Sequence, residues 1–177
     1  MRPRPSSAVR WVECMASVRL QNAMPEDQSE DAKEGVAAHW VAAQVLGDHA
    51  QFEELTDRPA PNGVIVTGDM LDHVQFYIDT INGATDGAPV IVERSLPSLP
   101  GVEDGTPDAY RVSNHTADVW DFKYGYGIVE AVNNWQLGIY IVSLFCRHEW
   151  KFQTVTGHIV QPRPYHWQGR VMSWTVT

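Results

Sequence analysis

Cysteine is scarce in this sequence. The 177 residues include only two, Cys14 and Cys146, which lie far apart along the chain. Two thiols can neither complete a four-cysteine zinc site nor hold an iron–sulfur cluster. No secretory pattern accompanies them, so a disulfide is not expected. We therefore predict two free thiols that pack as small buried hydrophobic residues.

Long apolar runs are also missing. No segment reaches the run of about eighteen uncharged apolar residues that a membrane span needs. The first ten residues carry Arg2, Arg4 and Arg10, and no apolar stretch follows them as it would in a secretory signal. A chain of this length suits one domain. We expect a flexible basic tail over residues 1–10, a single domain over residues 11–177 and a cytoplasmic location.

Basic residues are in the minority. Lys and Arg number 13 against 22 Asp and Glu, for a formal net charge of -9. Because Lys and Arg drive phosphate binding, this balance counts against a nucleic-acid partner. The local field matters more than the sum, however, and much of the acid lies in Glu26–Asp31 and Asp48–Asp57. Few acids follow Asp121, and among them stand the cations Arg147, Lys151, Arg163 and Arg170.

Helical periodicity is present in three main segments. The first predicted helix runs from Ala32 to about Gly47, after a cap at Ser29 or Asp31. Its expected buried face holds Val36, Trp40, Ala43 and Leu46, with His39 among them. A second helix is predicted over Gly68–Ile81, with the apolar stripe Met70, Val74, Tyr77 and Ile81. The third covers Val132–Cys146, with Trp135, Ile139, Val142 and Phe145 on one side, and a shorter helix is predicted over Arg10–Leu20.

Strand-like runs surround the third helix. They cover Pro89–Leu96, Pro107–Val112, Thr116–Phe122, Lys151–Gln161 and Arg170–Val176, and turn-rich residues over Asn82–Ala88 precede the first. A tight turn at Ser113–His115 predicts that the first three strands form an antiparallel meander. The element order predicts an α/β (α+β) fold, with a central mixed sheet flanked by helices.

A carboxylate and an ammonium group are predicted to share one side of a strand end. With a period of two, Asp121 and Lys123 point to the same side of the sheet and Phe122 to the other. Asp108 lies on the neighbouring strand, so a hairpin can bring its carboxylate beside that of Asp121. Two converging carboxylates repel unless a cation lies between them, and Mg²⁺ or Mn²⁺ suits such oxygen ligands. On the following helix Asn133, Gln136 and Tyr140 share a face.

Each of these residues also has an ordinary structural interpretation. An Asp-x-Lys triplet is usually solvated strand surface or a simple ion pair. His39 on an apolar face is more often a core histidine than a ligand. Gln136 and Tyr140 can be polar groups that are satisfied within the packing. The functional interpretation therefore depends on the order and spacing of the whole set.

Four motifs together resemble a known enzyme superfamily. They are Glu34-Gly35-Val36-Ala37-Ala38-His39, Gly105-Thr106-Pro107-Asp108, Asp121-Phe122-Lys123-Tyr124-Gly125 and Gln136-Leu137-x-x-Tyr140. As a series, the motifs resemble the PD-(D/E)XK nucleases, in particular the RecB-like branch and its phage-encoded nuclease domains. The segments 14–19 and 159–163 are similar to the same proteins. The resemblance spans about residues 11–174 and implies a restriction-endonuclease-like core.

The resemblance implies a metal site. His39 would be a metal ligand, Asp108 and Asp121 the metal carboxylates, and the backbone carbonyl of Phe122 a further ligand. The ion would be Mg²⁺ or Mn²⁺, with no iron–sulfur cluster. Two further acidic contributors are less well matched: Glu34 and Glu93.

The resemblance also implies roles for the remaining site residues. Lys123 would be the catalytic lysine that positions water and stabilises the transition state. Gln136 and Tyr140 would support that lysine and contact DNA, and Arg163 would hold a phosphate. Removing Asp108 should then reduce metal affinity and, by relieving carboxylate repulsion, stabilise the metal-free protein.

The implied activity is metal-dependent hydrolysis of phosphodiester bonds in DNA. An exonuclease of phage recombination or replication is expected, acting in the host cytoplasm if phage-encoded, with DNA, a host or phage protein, or further copies of itself as partners. The alternative is a catalytically silent nuclease-fold module that binds a host protein or DNA. The net charge of -9 and the seven tryptophans favour this alternative, because acidic surfaces with aromatic anchors suit protein partners.

Overall fold

The computed structural model describes residues 2–23, 29–84 and 88–177. A 3-10 turn, Pro5–Ser7, comes first. Six helices follow in the described residues: α1 Ala8–Glu13, α2 Ser17–Ala23, α3 Glu30–Leu46, α4 Phe52–Leu55, α5 Gly68–Ala84 and α6 Trp135–Arg147. The same described residues form five strands: β1 Ile91–Val92, β2 Ala109–Val112, β3 Thr116–Phe122, β4 Thr154–Val160 and β5 Val171–Val176. Within the described segments, no helix has the length and apolarity to span a membrane.

The strands form one mixed sheet in the order β1-β2-β3-β4-β5. The first three strands are antiparallel neighbours, as the sequence predicts, and Ser113 N–H donates to the carbonyl of Thr116 across the turn at 2.8 Å. β3 and β4 are parallel, and α6 connects them, whereas β5 returns antiparallel to β4. The predicted α/β class with a central mixed sheet flanked by helices is therefore confirmed.

The two faces of β3 pack against different helices. Trp120 and Phe122 join the core that α3 and α5 form on one face. Ala117 and Val119 join the core under α6 on the other face. Asp121 follows the same alternation as Ala117 and Val119, and it therefore lies on the side of α6. The sheet is thus the middle of three layers, and its strand ends lie between helices from both sides.

The helix α3 buries a different face from the predicted one. Its buried residues are Ala37, Ala38, Val41 and Ala42, whereas Val36 is 60% exposed. Three of these four residues are alanines, whose small side chains let α3 approach α5 closely. The predicted stripe of α5 is confirmed, since Met70, Val74, Tyr77 and Ile81 are all buried. On α6, Ile139 and Phe145 are buried as predicted, but Trp135 is exposed.

The amino-terminal residues pack against the domain instead of extending as a tail. Pro5 and Ala8 are buried, and the 3-10 turn lies against α6. Arg4 Nε is 2.9 Å from Glu103 Oε2, so part of the local positive charge is neutralised. The predicted helix over Arg10–Leu20 is interrupted at residues 14–16, between α1 and α2.

Three further expectations differ or fall outside the described residues. Cys14 and Cys146 are free thiols as predicted, but both are exposed, so they are not core residues. The helix α5 continues to Ala84, which takes it into the expected Asn82–Ala88 turn, and residues 85–87 of that turn lie outside the described residues. Half of the acidic Glu26–Asp31 block, residues 26–28, also lies outside them.

Candidate functional site

The end of β3 presents a carboxyl group and an ammonium group together. Asp121 and Lys123 lie two residues apart, on the α6 side, and Lys123 N–H donates to the carbonyl of Val160 at 2.8 Å, which extends the ladder beyond Phe122. Lys123 Nζ is 2.7 Å from Asp121 Oδ2. Asp121 is only 3% exposed. The predicted arrangement of these two side chains is present, and the pair is largely removed from water.

Strand register brings the second carboxylate to the same place. Ala109 pairs with Trp120, so Asp108 lies beside Asp121 at the sheet end. Asp108 Oδ2 accepts the backbone N–H of Phe122 at 2.7 Å. Its Oδ1 is 2.9 Å from Nδ1 of His39, which reaches the site from α3. Asp108 therefore connects β2, β3 and α3, and His39 contacts a carboxylate and is not a purely apolar core histidine.

A glutamine on α6 contacts both members of the ion pair. Lys123 Nζ donates to Gln136 Oε1 at 3.0 Å, and Gln136 Nε2 donates to Asp121 Oδ1 at 3.1 Å. The same Nε2 donates to Tyr140 Oη at 3.2 Å, one turn further along the helix. Tyr140 Oη donates to the carbonyl of Thr106 at 3.3 Å. The polar stripe predicted on this helix therefore faces the site at these two positions.

The start of α6 explains why the stripe does not include Asn133. Asn134 is the cap residue, and its side chain accepts the N–H of Leu137 at 3.0 Å. Asn133 lies before the cap with a φ of 60° and is exposed. A left-handed backbone before the cap turns its side chain out of the helical repeat. The predicted role of Asn133 on the site face of the helix was therefore wrong.

The two carboxyl groups differ in acidity because their surroundings differ. Burial raises the pKa of Asp121, and repulsion from Asp108 adds to the rise, against the opposing effect of Lys123. Burial also acts to raise the pKa of Asp108, but His39 and the Phe122 N–H stabilise the anion and bring the pKa below its usual value. The pair thus resists carrying two negative charges.

The two carboxyl groups in turn raise the pKa values of the neighbouring Lys123 and His39. Burial lowers the pKa of Lys123, but Asp121 and Asp108 outweigh it and the net pKa is raised. Lys123 is accordingly an ammonium group at neutral pH and not a general base. Burial likewise lowers the pKa of His39, and Asp108 raises it to a net value above the usual one. Asp108 therefore favours the protonated form of His39 relative to a free histidine.

The donor set fits a hard divalent ion with few protein ligands. No group of three His, Cys, Asp or Glu side chains at metal-binding spacing occurs in residues 2–23, 29–84 and 88–177. However, Mg²⁺ is commonly held by one or two carboxylates and keeps several waters. Asp121 Oδ2 is buried with Lys123 Nζ at ion-pair distance, and it accepts no geometrically defined hydrogen bond from the described part of the chain. Asp108 and Asp121 are therefore suitable ligands.

Two residues expected at the site are committed elsewhere. Arg163 Nη1 is 3.1 Å from Glu34 Oε2 and donates to the carbonyl of Tyr124 at 3.3 Å. Its guanidinium also lies over the rings of Tyr124 and Tyr126, at 4.4 and 3.9 Å from their centroids. Glu34 and Arg163 thus form a structural pair. The expectation that Arg163 holds a phosphate and Glu34 a metal is not supported by their positions.

Glu93 lies nearer the site but acts through its backbone. Its N–H donates to the carbonyl of Asp108 at 3.0 Å, and its φ is 43°. The residue also lines a cleft that contains His39 and Lys123. The backbone N–H of Phe122 donates to Asp108. Tyr77 was expected only as a core residue, but it stacks on Phe122 at 4.6 Å with its hydroxyl unpaired among the described residues.

Two clefts meet at this constellation. One, of about 830 Å³, runs along α3 and the loop after β3. The other, of about 490 Å³, extends past Asp108, Gln136 and Tyr140 to the amino-terminal turn. His39 and Lys123 line both. A chain-like ligand could therefore cross the site, with the ammonium and carboxylate groups at its middle.

Comparison with known proteins gives a family match over nearly the whole chain. A family model described as "Protein of unknown function (DUF2800)" matches residues 4–176. A solved structure titled "Crystal structure of SSO0001" is similar at 13% identity with a TM-score of 0.35, over 94% of this chain and 77% of that one. At that level of similarity, the assignment of a function depends on the side chains described above.

Proposed function

The chain belongs to the DUF2800 family of proteins of unknown function, and we propose from its site that it is a metal-dependent nuclease of the PD-(D/E)XK type that hydrolyses phosphodiester bonds in DNA. The observation that carries this proposal is the meeting of Asp108, Asp121 and Lys123 at one sheet end. The mixed sheet between helices supports the proposed restriction-endonuclease-like core. An exonuclease with Mg²⁺ or Mn²⁺ is the form that we propose.

The carboxylates would hold the metal ion. Asp108 and Asp121 are its proposed ligands, with the Phe122 carbonyl and His39 Nε2 as further candidates. When bound, such an ion polarises a phosphoryl oxygen and makes a water molecule more acidic. It would also relieve the repulsion from Asp108, which adds to the effect of burial in raising the pKa of Asp121. His39 Nδ1 keeps Asp108 oriented through the 2.9 Å contact.

Lys123 would stabilise the negative charge that develops on the phosphate. Its raised pKa keeps it charged, and a charge fixed in a water-poor site stabilises a transition state more than the same charge in water does. Gln136 holds Lys123 and Asp121 at once, so it fixes the angle at which the ammonium faces the cleft. Tyr140 in turn fixes Gln136.

A cleavage assay with matched lysine variants tests the proposal. Linear and circular DNA are incubated with the wild type and with Lys123→Met, which keeps the apolar stem, in Mg²⁺ or Mn²⁺. We expect Lys123→Met to lose at least about a hundredfold in rate. The control is Lys151→Met, because Lys151 is an exposed lysine in a surface pair with Glu149 at 2.9 Å and its loss should leave the rate unchanged.

Metal binding is checked separately by thermal unfolding. Mg²⁺ should raise the unfolding midpoint of the wild type, since a ligand of the native state stabilises it by mass action. It should not do so for Asp121→Asn. The nuclease proposal would be overturned if the folded wild type cut neither DNA form with either metal and neither metal changed its unfolding midpoint. The catalytically silent binding module would then be favoured.

A further inference from the structure

Two loops beside the cleft are tied into one rigid unit. Gln161 is fully buried, and its side chain both accepts from Val129 N–H and donates to Val129 carbonyl, each at 3.0 Å. Arg163 donates to the hydroxyl of Tyr126. His166 Nε2 is 3.2 Å from Glu130 Oε1. The loop after β3 (residues 124–130) and the loop after β4 (residues 161–170) are therefore held together by side chains along their length.

Three large aromatic side chains project from this unit. Tyr126 is 61% exposed, Tyr165 90% and Trp167 78%. We call them the aromatic rim. Exposed apolar residues that occur singly are common on protein surfaces. Here, however, the loops that carry them are fixed by buried polar groups, so the rings are presented to solvent on a rigid base. A rigid aromatic surface binds flat apolar groups with little loss of conformational entropy.

The aromatic rim adjoins the proposed active site at Tyr126. Tyr124, Gly125, Gly127 and Val129 belong to the first loop and line the 830 Å³ cleft together with His39 and Lys123. Tyr126 lies between these lining residues in the same loop. A ligand that stacks on Tyr126 is consequently in position to enter the cleft.

The charges of the clefts decide how such a ligand can be held. Six carboxylates line the two clefts, against two cations, Arg4 and Lys123. Arg4 pairs with Glu103 and Lys123 with Asp121. Arg163 and Arg170 lie in the loop that carries Tyr165 and Trp167, and Arg163 pairs with Glu34. Few unpaired cations in the described residues are therefore available to neutralise the phosphates of a duplex. Bases of a single strand, in contrast, offer faces that stack on aromatic rings whatever the sequence.

We propose that the aromatic rim binds single-stranded nucleic acid by base stacking and leads it into the cleft. The proposal rests on the proposed nuclease function, and it defines the substrate as a single strand or a frayed end and not an intact duplex. It also predicts that contacts to the bases contribute more to the affinity than contacts to the phosphates. The affinity should fall less steeply with ionic strength than for a protein that makes many phosphate contacts.

Fluorescence anisotropy in EDTA, where metal-dependent cleavage cannot occur, tests this directly. The probes are a labelled thymidine oligonucleotide of about twelve nucleotides, an abasic oligonucleotide of the same length and the corresponding duplex. The full chain is compared with the double variant Tyr165→Ala, Trp167→Ala. The control is Trp150→Ala, which also removes an exposed aromatic residue, since Trp150 is 63% exposed. Trp150 lies before β4, whereas the loop that carries Tyr165 and Trp167 follows that strand.

We expect the wild type to prefer the thymidine strand to both other probes, and the double variant to bind it about tenfold more weakly, with Trp150→Ala unchanged. Equal binding of the abasic and thymidine strands, or an unchanged double variant, would overturn the proposal. So would the absence of single-strand binding, which would leave a protein as the ligand of the rim. Cleavage by a double variant at the wild-type rate would also reject the rim and leave the nuclease proposal intact. If the wild type binds the single strand through the rim but cleaves no DNA, the rim proposal stands and the nuclease proposal is rejected.

Discussion

Asp108 has a structural task as well as its proposed catalytic one. The expectation from the sequence was that its removal would relieve repulsion and stabilise the metal-free protein. In the structure, its two oxygens accept the N–H of Phe122 and contact Nδ1 of His39. Loss of the carboxylate would leave a partly buried backbone donor and the histidine without their acceptor. At this position the lost contacts outweigh the relief of repulsion, because unsatisfied buried groups are costly.

We therefore predict that Asp108→Ala destabilises the metal-free protein by about 1–3 kcal/mol. Asp108→Asn, which keeps an oxygen acceptor, should cost less. Chemical denaturation in EDTA measures both free energies of unfolding. A stability gain in Asp108→Ala would show that repulsion between the carboxylates dominates, and would restore the expectation from the sequence.

Gln136 is the positioning residue with the clearest geometry. Gln136→Met keeps the approximate shape of the side chain but removes all three polar contacts. We predict a loss of about 10–100-fold in cleavage rate, since Lys123 and Asp121 lose their common partner. The control is Gln75→Met, because Gln75 is also a helical glutamine that donates to an aspartate, Asp79, at 2.7 Å on the exposed side of α5. Equal rates in the two variants would exclude the positioning role.

At the scale of elements, the distance between α6 and the sheet determines whether the site is assembled. Gly157 on β4 has no side chain, and Leu137 of α6 fills the space. A Cβ at position 157 would lie 2.5 Å from Leu137 Cγ, which is fully buried. The close approach places the neighbouring Gln136 within reach of Asp121 and Lys123. Gly157 therefore contributes to function through packing alone.

Gly157→Ala should destabilise the fold by about 1–3 kcal/mol. It should also lower the cleavage rate, because α6 must shift outward. Gly83→Ala in α5 is the matched control, since a Cβ there meets nothing within 4 Å and alanine favours the helix by about 0.5–1 kcal/mol. Thermal unfolding and the DNA assay are run on both variants. A Gly157→Ala protein as stable and as active as the wild type would contradict this account of the packing.

For the whole molecule, a polar network across four strands makes stability depend on pH. Asp118 on β3 binds Arg111 Nε at 2.8 Å and His158 Nε2 at 3.1 Å, and His158 Nδ1 lies 2.8 Å from Ser173 Oγ. Burial raises the pKa of Asp118, but the hydrogen bonds from His158 and Arg111 outweigh it and the pKa is lowered. The folded state therefore binds a proton here less readily than the unfolded chain does.

The sign of the effect follows from this difference. With a folded pKa below the ordinary value of 3.8, the network stabilises the protein fully above that ordinary value and loses its contribution as the pH falls through the lower, folded value. We predict that the wild type is more stable than Asp118→Asn at neutral pH and that the difference closes below about pH 4. The stability difference is measured from the unfolding midpoints of both proteins between about pH 2.5 and pH 7. A constant difference over that range would contradict the assignment.

Much of this molecule is determined locally. Strand alternation alone places Asp121 and Lys123 on one side and Phe122 on the other, because the side-chain period of a strand is two. The turn at Ser113–His115 predicts the meander, and the apolar stripe of α5 predicts its buried face. These features depend on residues near one another in sequence, so they can be derived without the fold.

Other features exist only because distant segments meet. The sequence could not reveal that alanines would form the buried face of α3, because that choice depends on how closely α5 approaches. Nor could it show that Arg163 would be held by Glu34 and two tyrosines. The closeness of His39, Asp108 and Gln136 to the Asp121–Lys123 pair likewise comes from three-layer packing. Local sequence determines which way each side chain points, whereas the energy of packing decides which other side chain it meets.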